Sequence, residues 1–286
     1  MAKVYFTKEL TSEALIKLFK KLNVELNGKI AIKLHSGEEG NQNYLTPEFL
    51  KPVIDFIGGT VVECNTAYDG ERNTSEKHLK LLERHGWSKY FNVDLMDETG
   101  PDVILEIPHG KRIKKNYVGK NLINYDSLVI LSHFKGHPMG GYGGALKQLS
   151  IGCASSYGKA YIHGAGNPDE LWTADHDSFL ESMADAAWSV DHLFKGRVVY
   201  INVMKNLSVD CDCCSVAEDP CMKDIGILIS TNPVAIDQAC IDLVLKSNDH
   251  GKEHFMERVN SRNGLHTIEE AEIREIGSRK YELIEI

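Results

Sequence analysis

The chain has 286 residues, 42% of them apolar and 26% charged, an ordinary globular composition that excludes a disordered polymer and leaves enough apolar surface for a core. Its 32 Lys and Arg against 41 Asp and Glu give a net charge of −9, which argues against nucleic acid as a partner, because phosphate binding asks for a basic surface. No apolar run reaches the ~18 residues of a membrane helix, and Met1–Lys8 lacks a signal peptide's apolar core, so the expected place is the cytoplasm, with no membrane partner.

Along the chain, short β-like runs alternate with helical stretches, the pattern of a single α/β domain with a mixed, mostly parallel sheet flanked by helices. Thr11 and Ser12 can cap a first helix with Leu15, Leu18, Phe19 and Leu22 on its apolar face. Residues 29–34 read as a strand, followed by the glycine-punctuated loop 35–40. Thr46 and Pro47 suit the cap and first position of a helix that Gly58-Gly59 ends, with Pro52 expected to weaken or kink it. Residues 60–64 are the next strand. Asn73 and Glu76 have capping-box spacing, Leu79 and Leu82 follow, and Gly86 terminates. Residues 102–107 and 127–131 are strands with few polar interruptions, as expected in a sheet buried on both faces. Residues 144–151 read as helical, entered from a glycine-rich loop. Phe179, Met183, Ala187, Val190 and Phe194 give a helix at 3.6 spacing. Residues 197–203 and 224–229 are strands again, and Asn232-Pro233 starts a helix with Ile236, Cys240 and Leu243 inward. A domain split would fall near 157–175, rich in Gly, Ala, Asn and Asp, but a single domain is simpler.

Seven cysteines form an odd set, four of them within eleven residues: Cys211, Cys213, Cys214 and Cys221. Thiolates are soft ligands, and this density suits zinc, copper(I) or an iron–sulfur cluster. The spacing C-x-C-C-x6-C matches neither a paired zinc ribbon nor a ferredoxin run. Adjacent Cys213 and Cys214 diverge in an extended backbone, and unpaired Cys also serves as a small apolar side chain. Asp210 and Asp212 lie in the same segment, as ligands or as turn residues.

The second candidate is the loop Ser132–Gly144 after the strand ending at Leu131. In open α/β sheets ligands bind beyond the carboxyl ends of strands. His133 and His137 are metal-ligand candidates or hydrogen-bonded structural histidines. Lys135, Gly140, Gly141, Gly143, Gly144 and Lys147 could form an anion site where the loop feeds a helix N-terminus. Neither a Walker A loop nor GxGxxG is present, since Leu146 takes the place of the third glycine. Weaker candidates are His35 with Glu38 and Glu39, and His109 in the basic run with Lys111, Arg112, Lys114, Lys115 and Lys120, which reads first as a solvated loop.

Three segments together carry a resemblance: 31–57 (AIKLHSGEEGNQNYLTPEFLKPVIDFI), 131–159 (LSHFKGHPMGGYGGALKQLSIGCASSYGK) and 206–244 (NLSVDCDCCSVAEDPCMKDIGILISTNPVAIDQACIDLV). With them the chain resembles the family called domain of unknown function 362, and especially its branch of iron–sulfur centre proteins. The resemblance implies an α/β protein without a settled activity. Similar proteins often carry a ferredoxin-like insert with two four-cysteine runs after a segment like GCASSYGK. Here Ala160–Asp177 contains no cysteine, so two [4Fe–4S] clusters are not assigned.

The expectation is a metal-binding protein of redox type, holding an Fe–S cluster or zinc. Cys211 and Cys213 would be the primary ligands, with Cys214, Cys221 or a histidine of the 133–137 loop completing the site. The glycine loop and Lys147 would hold a small anionic ligand. A zinc-dependent enzyme acting on a small anionic metabolite is the alternative, and a binding module with structural cysteines a third. A redox partner and homo-oligomerisation stay open.

Overall fold

A computed structural model describes residues 1–286. Its strands are β1 (Ala2–Thr7), β2 (Ile30–Lys33), β3 (Thr60–Glu63), β4 (Asp94–Leu95), β5 (Val103–Glu106), β6 (Lys115–Val118), β7 (Ser127–His133), β8 (Lys135–His137), β9 (Gly141–Gly143), β10 (Val198–Met204), β11 (Gly226–Ser230) and β12 (Tyr281–Glu285). Eight of them form one sheet in the order β12-β1-β11-β10-β7-β2-β3-β4. Only β11 runs against its neighbours; every other pairing in this sheet is parallel. The α/β architecture expected from the alternating pattern is therefore present.

The central strands β7 and β10 are buried along their whole length. Alternation splits their side chains between two cores. Leu128 and Ile130 face one, with Tyr200 and Leu228 and the helices His176–Phe194 and Pro233–Lys246. Val129 and Leu131 face the other, with Ile201 and the helices Ser12–Leu22 and Pro47–Ile57. Each fully buried Leu or Ile contributes roughly 1.5–3 kcal/mol relative to exposure.

Helix starts follow local chemistry. Thr11 Oγ1 accepts the Ala14 N–H, Thr46 that of Phe49, and Asn232 Oδ1 that of Ala235, each ahead of its helix. Helix Pro47–Ile57 runs on through Pro52, at the cost of one backbone bond, because its apolar face, Leu50, Val53 and Ile54, is buried. Gly58 ends it at φ 71°.

Several expectations are corrected. The Asn73–Glu76 box does not form: Thr74 caps helix Ser75–Arg84, and Glu76 pairs with Lys80 one turn on. Its inward face is His78, Leu81 and Leu82, while Leu79 is 41% exposed. Residues 102–107 do not enter the main sheet. β5 pairs with β6 in a separate ribbon with only partly covered side chains. The edge strand β12, its neighbour β1 and the small ribbon β8–β9 carry no clear period-2 pattern in sequence. Residues 144–151 form one helical turn, Ala145–Lys147, that widens into a π-type turn, Gln148–Gly152.

Candidate metal centre and cleft

The parallel strands β2, β3, β7 and β10 bring their carboxyl ends to one edge, where His35, Cys64, the 133–144 loop and the 206–221 segment meet. Backbone bonds tie these loops together. Glu38 N–H donates to Asp212 O (2.8 Å), Gly136 N–H to Ser208 O (2.8 Å), and Asn41 Nδ2 to the carbonyls of Cys211 and Cys214. Gly136 is needed at this crossing, because a Cβ there would stand 2.3 Å from Val209 O.

Asp212 is the rivet. Its carboxylate accepts from His133 Nδ1 (2.8 Å) and Lys135 Nζ (2.7 Å), all three side chains being almost fully buried. Burial alone would push the Asp212 carboxyl up; the charges of His133 and Lys135 outweigh it and hold the group well below the usual carboxylate range. His133 Nε2 also donates, to Lys205 O at 2.5 Å. Both partners of the ring are acceptors, so His133 has no lone pair left for a metal. Lys135 is likewise spent on Asp212.

Three other groups converge. The Sγ atoms of Cys211 and Cys213 and a ring nitrogen of His137 all lie within 4.8 Å of one another. Cys211 Sγ accepts the Cys213 N–H at 3.4 Å, and Cys213 Sγ stands 4.0 Å from His137 Nε2. The N–H groups of Met139 and Gly140 donate to His137 Nδ1, at 3.1 and 2.8 Å. The neutral ring therefore keeps its proton on Nε2, facing sulfur. Burial pushes the Cys211 thiol up to about 11 and the His137 ring down to about 4, where the Lys147 charge adds to the effect. Cys214 is next to Cys213, whose thiol draws that of Cys214 below its ordinary range.

The structure separates the remaining predicted residues from this point. Cys221 Sγ donates to Leu207 O (3.3 Å). Asp210 is taken by Arg258 (2.9 Å) and the Glu218 N–H. His109 is exposed on the ribbon turn. In the basic run, Lys111 and Arg112 pair with Glu181, and Lys111 also with Glu270. His266 Nε2 contacts Glu181 at 3.1 Å, but those carboxylates already face Lys111, Arg112 and Arg274, which makes this group an ion-pair network.

The glycine loop binds an anion, and the anion is the chain's own. Asp237, fully buried, accepts the N–H groups of Ala145 (2.8 Å) and Leu146 (3.0 Å), Asn202 Nδ2 (2.8 Å) and the Tyr142 hydroxyl (3.1 Å). The helix-start position expected for an outside ligand is thus filled from the helix Pro233–Lys246. A Cβ on Gly144 would stand 2.5 Å from Asp237 Oδ1. Gly140 serves differently, through its amide on His137, and Gly141 adopts φ 77°.

Beside the thiols opens a cleft of about 360 Å³. Cys213, Cys214 and His137 stand along it, with His35, Lys147 and Gln148 at one end and Met139, Ile151, Leu171 and Trp172 as apolar wall. Lys33–Glu63 (2.6 Å) and Arg72–Glu38 (3.1 Å) are buried ion pairs in its floor. Glu63, Lys33, Arg72, Lys159, Gln148 and Trp172 escaped sequence reading. The available signal was a charge at a buried strand position, Lys33 in KIAIKL and Glu63 in TVVEC.

Of the groups gathered at these strand ends, Cys211, Cys213 and His137 could hold a metal ion, beside a cleft of ligand size. A model of the family described as "Domain of unknown function (DUF362)" matches residues 30–242, more than half of the chain, and the chain belongs to that family. No curated protein matches the sequence. Two solved structures are similar at low level. One is the lactate racemase apoprotein of Thermoanaerobacterium thermosaccharolyticum, with TM-score 0.42 and 14% identity over 70% of this chain. The other is a protein from Thermotoga maritima, with TM-score 0.44 and 12% identity over 90% of this chain. This chain spans 50% and 58% of those two chains, and the scores lie below the level at which a common fold follows.

Proposed function

We propose that the chain is a thiolate metal-binding protein in which Cys211 and Cys213 hold a soft metal ion at the side of the cleft. The carrying observation is the convergence of the two sulfurs and His137 within 4.8 Å on loops clamped by Asp212. Two sulfurs so close suit a single zinc-like ion. A four-cysteine cluster is disfavoured, because Cys221 is bonded to Leu207 O. Metal entry on His137 Nε2 would have to displace the ring proton held there. His137 is therefore read as hydrogen-bond donor to the thiolates, and Cys214 as the nearest further sulfur. A bound ion would supply Lewis-acid polarisation or, for iron, electron transfer. The protein's own part is to position a small molecule in the cleft and to limit water there. Buried free thiols suit a reducing compartment, which favours the cytoplasm.

The test is elemental analysis of protein purified without oxygen, beside the C211S/C213S double variant. About one ion per chain in the parent and none in the variant is the expected result. An unchanged ion content in the variant would refute the site. A metal-free parent would favour a second reading, a dithiol pair with His137 Nε2–H as donor to the thiolate, which the 4.0 Å approach to Cys213 supports.

A further inference from the structure

The cleft has an excess of donors. Lys33 and Arg72 are neutralised by Glu63 and Glu38. Lys147 and Lys159 have no carboxylate within 4.0 Å, and Lys159, 9% exposed, donates its Nζ only to Ala154 O at 2.6 Å. Two lysines without a carboxylate contact on one cleft are unexpected in a chain of net charge −9, and burial works against the charge of Lys159, which Asp97 supports only from beyond contact distance. His35 adds a third donor, since its Nδ1 accepts the Gly37 N–H (3.0 Å) and its proton is left on Nε2. Gln148 adds a fourth: its Nε2 is buried and bonded to nothing. Buried donors without acceptors are costly unless a ligand supplies the acceptors.

Resting on the reading of this cleft as the functional site, we propose that it binds a small organic dianion, a dicarboxylate or a phosphomonoester. Its acidic groups meet Lys147, Lys159, His35 and Gln148, and its carbon part lies against Met139 and Trp172. Two positive charges call for two negative ones, and the apolar wall calls for an organic rather than an inorganic ion.

Calorimetric titration tests this with succinate, phenyl phosphate, inorganic phosphate, butyrate and neutral succinamide. The titrations use the parent protein and the metal-free C211S/C213S variant. At least one of the two organic dianions should bind roughly tenfold or more tightly than butyrate, as one added charge-assisted contact implies. Lys147→Gln should remove that advantage while leaving the thermal midpoint of the unliganded protein in place, because Lys147 has no intramolecular partner. Binding that persists in C211S/C213S supports the dianion site whatever the metal result. Inorganic phosphate binding as well as phenyl phosphate would overturn the organic part. Equal binding of butyrate, no binding of either dianion, or indifference to Lys147→Gln would overturn the proposal.

Discussion

Asp212 carries more structural weight than any thiol near it. It joins the Cys segment to the strand-end loop through two buried side chains, and removing it would leave His133 and Lys135 facing no carboxylate. Asp212→Ala should cost about 3–5 kcal/mol in urea unfolding, and weaken metal binding with it. Glu63 sets part of the acid limit. Burial pushes its carboxyl up, but Lys33, then His78 and Arg72, outweigh that and hold it at about 2. A carboxyl depressed on folding stabilises the protein above its unfolded value, near 4.3, and loses that contribution as pH falls toward 2. Urea midpoints should therefore decline below about pH 4.3 in the parent, and less steeply in Glu63→Gln, which should already be weaker at pH 7. A parallel decline in both proteins would deny Glu63 this role. His137→Gln, if His137 only donates to the thiolates, should keep the bound ion. Loss of the ion in that variant would make His137 a ligand.

At the scale of elements, the turn Ala145–Lys147 is organised by the carboxylate of a different helix. Gly144→Ala puts a methyl 2.5 Å from Asp237 Oδ1, so either the turn or the helix Pro233–Lys246 must shift. A loss of about 1–3 kcal/mol in thermal or urea unfolding is expected. A neutral outcome would show that the two elements are not locked together. This contact also explains what the sequence conveyed and what it did not. Caps at Thr11, Thr46 and Asn232 were readable because an N-cap acts through neighbours three residues away. The strands β2, β3, β7, β10 and β11 were readable because burial on both faces leaves unbroken apolar runs. The place of β5 was not, since a four-residue apolar run reads the same in a ribbon as in a sheet centre. The glycine loop showed its chemistry but not its occupant: nothing local to residues 140–147 announces that Asp237, over ninety residues on, fills the anion position. Likewise His133 and His137 look equivalent in sequence, and only tertiary partners make one a clamp and the other a neighbour of the sulfurs.

For the whole molecule, the mostly parallel sheet does one thing for function: it delivers four loops to a single edge, among them the 133–144 and 206–221 segments, whose His137 and Cys211 lie 74 residues apart. No helix is long and apolar enough to cross a membrane. The net charge is acidic, yet Lys147 and Lys159 stand at the cleft without a carboxylate contact. We propose that this place holds a metal on Cys211 and Cys213. It is tested most directly by elemental analysis with a visible spectrum on anaerobically purified parent and C211S/C213S proteins. About one soft metal ion per parent chain, lost in the double variant, is the expected result. The same ion content in both proteins, or none in the parent, would contradict it.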